Sequence, residues 1–250
     1  MTSVDSAIEL GTPLARHAPA QSILLHLVPG GLALGVYVAA LPVVGRLGMP
    51  TIAALALSGL LGVLPVQLAL LGRHRAQHPH EAVVQLTTRL PLRRVLGWML
   101  LEVVLGALAF LLTGPLTGWL RAEASGWWPS SLIIDSGTQQ SYDTGALAAT
   151  ALLMLLGSVL AAPIVEECYF RGYLLPRMPA KLGRARPVAH AALFAGYHLW
   201  TPWLIPTRLL AILPLTLIAL RTRDVRIGIA THVILNSVDV AILTRYLLSR

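Results

Sequence analysis

At 250 residues, with 56% hydrophobic and only 12% charged, the chain carries roughly half the charge of a soluble domain of its size. Uncharged runs longer than about 18 residues place it in a bilayer, which excludes an ordinary cytosolic enzyme. Its 19 basic against 11 acidic residues then read as arginine-rich loops facing anionic lipid, not as a nucleic-acid surface, and a single cysteine, Cys168, excludes an internal disulfide and any cysteine-based metal motif.

In chain order, residues 1–21 read as a short cytoplasmic segment. Residues 22–45 run on through Gly30, Gly31 and Pro42 without a cleavage motif, too long for a signal peptide, and are expected to stay as the first span. Further spans are expected at 50–72, 95–115, 146–170, 187–201, 205–220 and 227–247. The chain is thus expected to be all-α, a polytopic transmembrane helical bundle of about seven spans (six to eight), forming a single transmembrane domain over 1–250. All basic residues but Lys181 are arginine, which suggests a high-G+C prokaryotic genome and so a prokaryotic plasma membrane.

The basic residues test the span count, because a wrong number of helices scrambles which loops share a side. With the N-terminus inside, 14 of the 19 basic residues fall on the inner side, leaving Arg46, Arg121, Arg208, Arg245 and Arg250 outside. The inner loop with His74, His78 and His80 is expected to be solvated. The outer segment 116–145, with Trp119, Trp127 and Trp128, is expected to lie along the membrane surface.

An ionisable group at the bilayer centre costs about 3 kcal/mol or more, so each one inside a span marks a partner or a site. Glu166, Glu167 and Arg171 follow Pro163 at the inner end of the fourth span. Glu167 and Arg171, four residues apart, can pair along one helical face, whereas Glu166 points about 100° away and is left as a candidate general base. Phe194 and His198 share a face of the fifth span, and His232 and Asn236 share one of the seventh. A carboxylate with a histidine can activate water, and a second histidine with an asparagine can donate to a developing oxyanion.

As motifs, Glu166 to Arg171 reads EExxxR, Phe194 to His198 reads FxxxH and His232 to Asn236 reads HxxxN, in that order on three apolar helices. The set resembles the CAAX-protease and bacteriocin-processing (CPBP, or Abi) family of intramembrane proteases, relatives of the Ras-converting CAAX prenyl endopeptidase. The resemblance covers about residues 146–240. It implies an intramembrane endopeptidase that hydrolyses a peptide bond of a membrane-associated protein or peptide precursor near the cytoplasmic face. Glu166 and His198 would activate water, and His232 and Asn236 would form the oxyanion hole, with Glu167, Arg171 and Phe194 in support.

No cofactor or metal is expected. A zinc form with Glu166, His198 and His232 as ligands is the alternative, against which stand the lack of HExxH and the poor fit of Asn to zinc. Expected partners are a peptide or protein substrate, with or without a lipid anchor, and membrane lipid; nucleic acid is not expected, and oligomeric state is left open. The competing class is a non-catalytic membrane immunity or scaffold protein of the same family. Cys168 is read as a packing residue, Glu102 and Asp239 as structural hydrogen-bond partners and His190 as interfacial.

Overall fold

The computed structural model describes residues 14–85, 89–134, 136 and 142–249. Residues 1–13 of the expected N-terminal segment and Asp135 of the expected outer loop lie outside the described residues. The chain winds through α1 (Pro19–Arg46), α2 (Thr51–Gln77), α3 (Leu92–Ala124), α4 (Thr144–Arg177), α5 (Arg186–Tyr197), α6 (Ile205–Thr222) and α7 (Val225–Leu248), with no strand among the described residues. Six of these are long and apolar enough to cross a membrane. Between 22% and 39% of each spanning window is buried, so most of the apolar surface faces outward, as at Leu111 and Leu112, where hydrocarbon can solvate it.

The exception is α5, whose 12 residues rise only about 18 Å. The expected fifth span at 187–201 is therefore half a helix. It stops at Tyr197 and continues as turns through the short 3₁₀ segment Pro202–Leu204. Trp203 there meets Trp128 edge-on at 6.2 Å and lies under the Arg121 guanidinium. Non-helical backbone is tolerated at membrane depth when protein surrounds it, and Trp200, Thr201 and Trp203 are all buried.

Local chemistry fixes the helix ends. Asp143 caps α4 by accepting from the Gly145 and Ala146 N–H groups at 2.7 and 3.4 Å. Asp224 caps α7 through the Arg226 N–H at 3.1 Å and also accepts from the Leu90 N–H at 2.9 Å, tying the start of α3 to the same end. Burial alone would raise the Asp224 carboxyl, but the Arg226 side chain and these N–H donors hold it below the usual carboxylate range.

An aromatic wedge of Tyr169, Phe170, Phe194 and Tyr197 fills the junction of α4 and α5 against α1, with Phe170 and Phe194 rings 4.6 Å apart. Gly30 of α1 permits this packing, since a Cβ there would collide with the Tyr197 carbonyl. Two sequence expectations change at the arginine-rich end. The helix α2 runs to Gln77, so His74 is buried instead of lying in a solvated loop, and Glu81 folds back onto His74 and Arg177. His190 is fully buried, not interfacial, because α5 packs on α1 and its Nδ1 meets His26 Nε2 at 3.1 Å. The outer segment also differs: α3 extends to Ala124, and the Leu132 and Ile133 carbonyls accept from Tyr37 and Thr51, binding that segment to the ends of α1 and α2.

Candidate active site

The site starts from an irregularity in α4. Two stretches, Leu155–Ala161 and Glu167–Leu174, wind in the wider π register, as shown by the Ala162 N–H bonding to the Gly157 carbonyl and the Leu175 N–H to the Phe170 carbonyl. In that register the next donor, to the Ser158 carbonyl, would be residue 163, and Pro163 has no N–H. The freed carbonyl accepts from Asn236 Nδ2 of α7 at 2.8 Å. One amide N–H of Asn236 is thereby fixed while the other stays available.

The second π stretch begins at the glutamate pair. Glu167 Oε1 accepts from the Arg171 guanidinium at 2.7 Å, each side chain 1% exposed, as the four-residue spacing predicts. The same oxygen lies 3.2 Å from His232 Nδ1. Its partner Oε2 is buried without a hydrogen bond, against Gly228 of α7, where a Cβ would collide with it. Arg171 is seated over the Phe194 ring at 4.2 Å. Glu166 meets other neighbours: Tyr197 donates its hydroxyl to Oε1 at 3.2 Å, and His232 Nε2 stands 4.0 Å from Oε2. His232 is therefore held between the two carboxylates.

His198 follows the last residue of α5. Its Nδ1 lies 2.9 Å from the Phe194 carbonyl, a bond that assigns the proton to Nδ1 and leaves Nε2 as an acceptor. Its ring packs on Tyr197, Phe194 and Trp200. Tyr197 thus touches both His198 and Glu166 and links them without a direct bond. Of the sequence candidates, Glu166, Glu167, Arg171, Phe194 and His232 meet directly, His198 joins through Tyr197, and Asn236 reaches α4 through Ser158. Among the described residues, no three His, Cys, Asp or Glu side chains are grouped so as to hold a metal ion.

Three residues escaped the sequence reading. Tyr197 and Gly228 act through contacts between helices, which spacing along one helix does not reveal. Arg208, counted as an outer charge, donates to Thr201 Oγ1 at 2.7 Å and interacts electrostatically with both Glu166 and His198. Its signal was an arginine one turn inside an apolar helix. Glu102 is buried with Oε2 unbonded and lies within electrostatic reach of Arg171 and Glu167. Asp239 makes no ion pair with Arg245 among the described residues; six positions apart, the two lie on different faces of α7.

Residues 148–238 match the family described as Type II CAAX prenyl endopeptidase Rce1-like. That stretch, 91 of the chain's 250 residues, is similar to the CAAX protease family. The match runs from the first turn of α4 to the middle of α7 and contains the Glu-Glu pair, the His198 turn and the His232–Asn236 face. No curated protein and no solved structure matches the chain. The similarity, together with six helices long and apolar enough to cross a membrane, supports an integral membrane protein.

Proposed function

We propose that the chain hydrolyses a peptide bond of a membrane-associated protein or peptide precursor at this site, by direct attack of water. Glu166 accepts the water proton as the oxygen bonds to the scissile carbonyl carbon, and Nε2 of His198 orients that water. The carbonyl oxygen becomes an oxyanion, stabilised by the N–H of His232 Nε2 and the second N–H of Asn236. Collapse breaks the C–N bond, and the proton on Glu166 passes to the departing amine.

The observation that carries this assignment is His232 lying between Glu166 and Glu167. Each of its ring nitrogens faces a carboxylate oxygen, and an imidazole that carries both protons donates from both. Arg171 in turn fixes Glu167, which holds the His232 ring in place. No metal is assigned a role; metal analysis of the purified active protein should find less than one equivalent of zinc. The arginine-rich end, with Arg177, Arg184 and Arg186, is taken as cytoplasmic. Glu166 precedes Arg177 by 11 residues in α4, which sets it inside the span, near the middle of a hydrocarbon core about 30 Å thick. A non-catalytic immunity or scaffold role would not require this arrangement of donors and acceptors.

The direct test is cleavage of a lipid-anchored fluorescent peptide by the protein in nanodiscs, run in ¹⁸O-labelled water. The label should enter the new C-terminal carboxylate, and turnover should fall about 10²–10⁴-fold in His198→Ala. Unchanged turnover in that variant would remove His198 from the chemistry.

A further inference from the structure

His198 stands where α5 has ended. Its Nδ1 bond to the Phe194 carbonyl, at 2.9 Å, ties the ring to the helix behind it, but what lies ahead is a turn. There the Leu199 N–H donates to the Tyr197 carbonyl at 2.9 Å, the Thr201 N–H to the His198 carbonyl at 3.2 Å and the Leu204 N–H to the Thr201 carbonyl at 3.0 Å. Short-range bonds of this kind do not repeat as a helix ladder does, and displacing a reacting group by 1 Å can cost about 10²-fold in rate. The turn therefore needs an anchor outside itself. Arg208, in the first turn of α6, reaches back to it: Nη1 donates to Thr201 Oγ1 at 2.7 Å and to the Thr201 carbonyl at 3.3 Å.

That end of α6 is itself fixed. Thr207, the residue before Arg208, shares hydroxyl hydrogen bonds with Thr113 at 2.7 Å and Thr117 at 2.8 Å, which lie four apart on one face of α3. Trp203, between the turn and α6, lies under the Arg121 guanidinium of α3 and is buried, as are Trp200 and Thr201. An arginine inside an apolar helix gives up side-chain freedom and the water around its charge, so it marks a partner or a site; the partner here is Thr201. The guanidinium also lies within electrostatic reach of Glu166 and His198, so it borders the site on the side of His198. A continuous path thus runs from α3 through Thr207 and Arg208 to Thr201 and His198, and α3 lies outside the 148–238 stretch.

We propose that Arg208 is a positioning residue for His198: acting through Thr201, it holds the turn that aims His198 Nε2 at the attacking water. The inference rests on the role proposed above for His198. The test uses the full-length protein in nanodiscs with the lipid-anchored peptide, and kcat and KM are measured for His198→Ala, Arg208→Gln, Thr201→Val and the double variant Arg208→Gln/His198→Ala. Glutamine has neither the reach nor the charge of arginine, so Arg208→Gln should lower kcat about 10–100-fold, the loss of hydrogen bonds from a charged group. Its KM should stay within about twofold of the parent, because the residue acts on His198 and not on substrate. Thr201→Val keeps the shape but removes the Oγ1 acceptor, and should lower kcat about tenfold. In the His198→Ala background, adding Arg208→Gln should change kcat less than about twofold, because residues that act as one unit are not additive. A kcat for Arg208→Gln within about twofold of the parent, a raised KM marking direct contact with substrate, or the full further loss in the double variant each overturns the proposal. If Arg208→Gln fails to fold, Thr201→Val, alone and combined with His198→Ala, decides by the same criteria. Unchanged turnover in His198→Ala itself would overturn the role of His198, and this inference with it.

Discussion

Glu166 and Glu167 are adjacent in sequence and meet different partners. Glu167 is paired with Arg171 and lies beside His232, whereas Glu166 accepts a tyrosine hydroxyl and faces a histidine at 4.0 Å. The two carboxylates are thus distinguished by what surrounds them. The Glu167–Arg171 pair was legible in the sequence because four residues bring side chains together on one helix. The Tyr197 bond to Glu166 was not, because it joins α5 to α4 and spacing along one helix does not report contacts between two. Cys168 lies inside the motif, is partly buried and makes no disulfide. Cys168→Ala should retain turnover within about twofold, since the cation of its motif, Arg171, is engaged by Glu167 and a guanidinium does not act as a base. Loss of activity in a folded Cys168→Ala protein, measured with the same peptide, would point to a thiol nucleophile.

At the scale of the helix, the site depends on two departures from regular geometry. The π register of α4 beside Pro163 frees the Ser158 carbonyl that holds Asn236, and π turns of this kind recur at functional sites. The early end of α5 places His198 in a turn instead of on a continuing helix. Hydropathy showed neither, because apolar content reports that a segment is buried in lipid and not how its backbone winds. Helix contact at Gly228 is a third such feature. Gly228→Ala should force Glu167 away from α7, lowering stability by about 1–3 kcal/mol and reducing turnover with it. A melting curve of that variant indistinguishable from the parent would show that α7 does not press on Glu167.

For the whole molecule, composition and charge distribution gave the all-helical membrane bundle and a self-consistent order of crossings. Arg171 and Arg208 were counted with the loops but lie among the helices; a rule that sums over many residues changes little with two misplacements. Which charges enter the protein interior could not be read that way. Single cysteines placed at His80 and Ser130 in a Cys168→Ala background should label from opposite sides of the membrane, position 80 from the cytoplasm. Labelling of both from one side would break the crossing order from α1 to α4.

The central claim is that Glu166 takes the proton while Glu167 holds the site together, and paired substitutions separate the two roles in one preparation. Turnover and melting temperature should be measured for Glu166→Gln and Glu167→Gln in the same detergent. Glu166→Gln should lose about 10²–10⁴-fold in turnover with substrate binding and melting temperature near those of the parent. Glu167→Gln should lose roughly 3–5 kcal/mol of stability, because Arg171 is left buried without its counter-charge. An active Glu166→Gln protein, or equal destabilisation by both changes, would contradict the assignment.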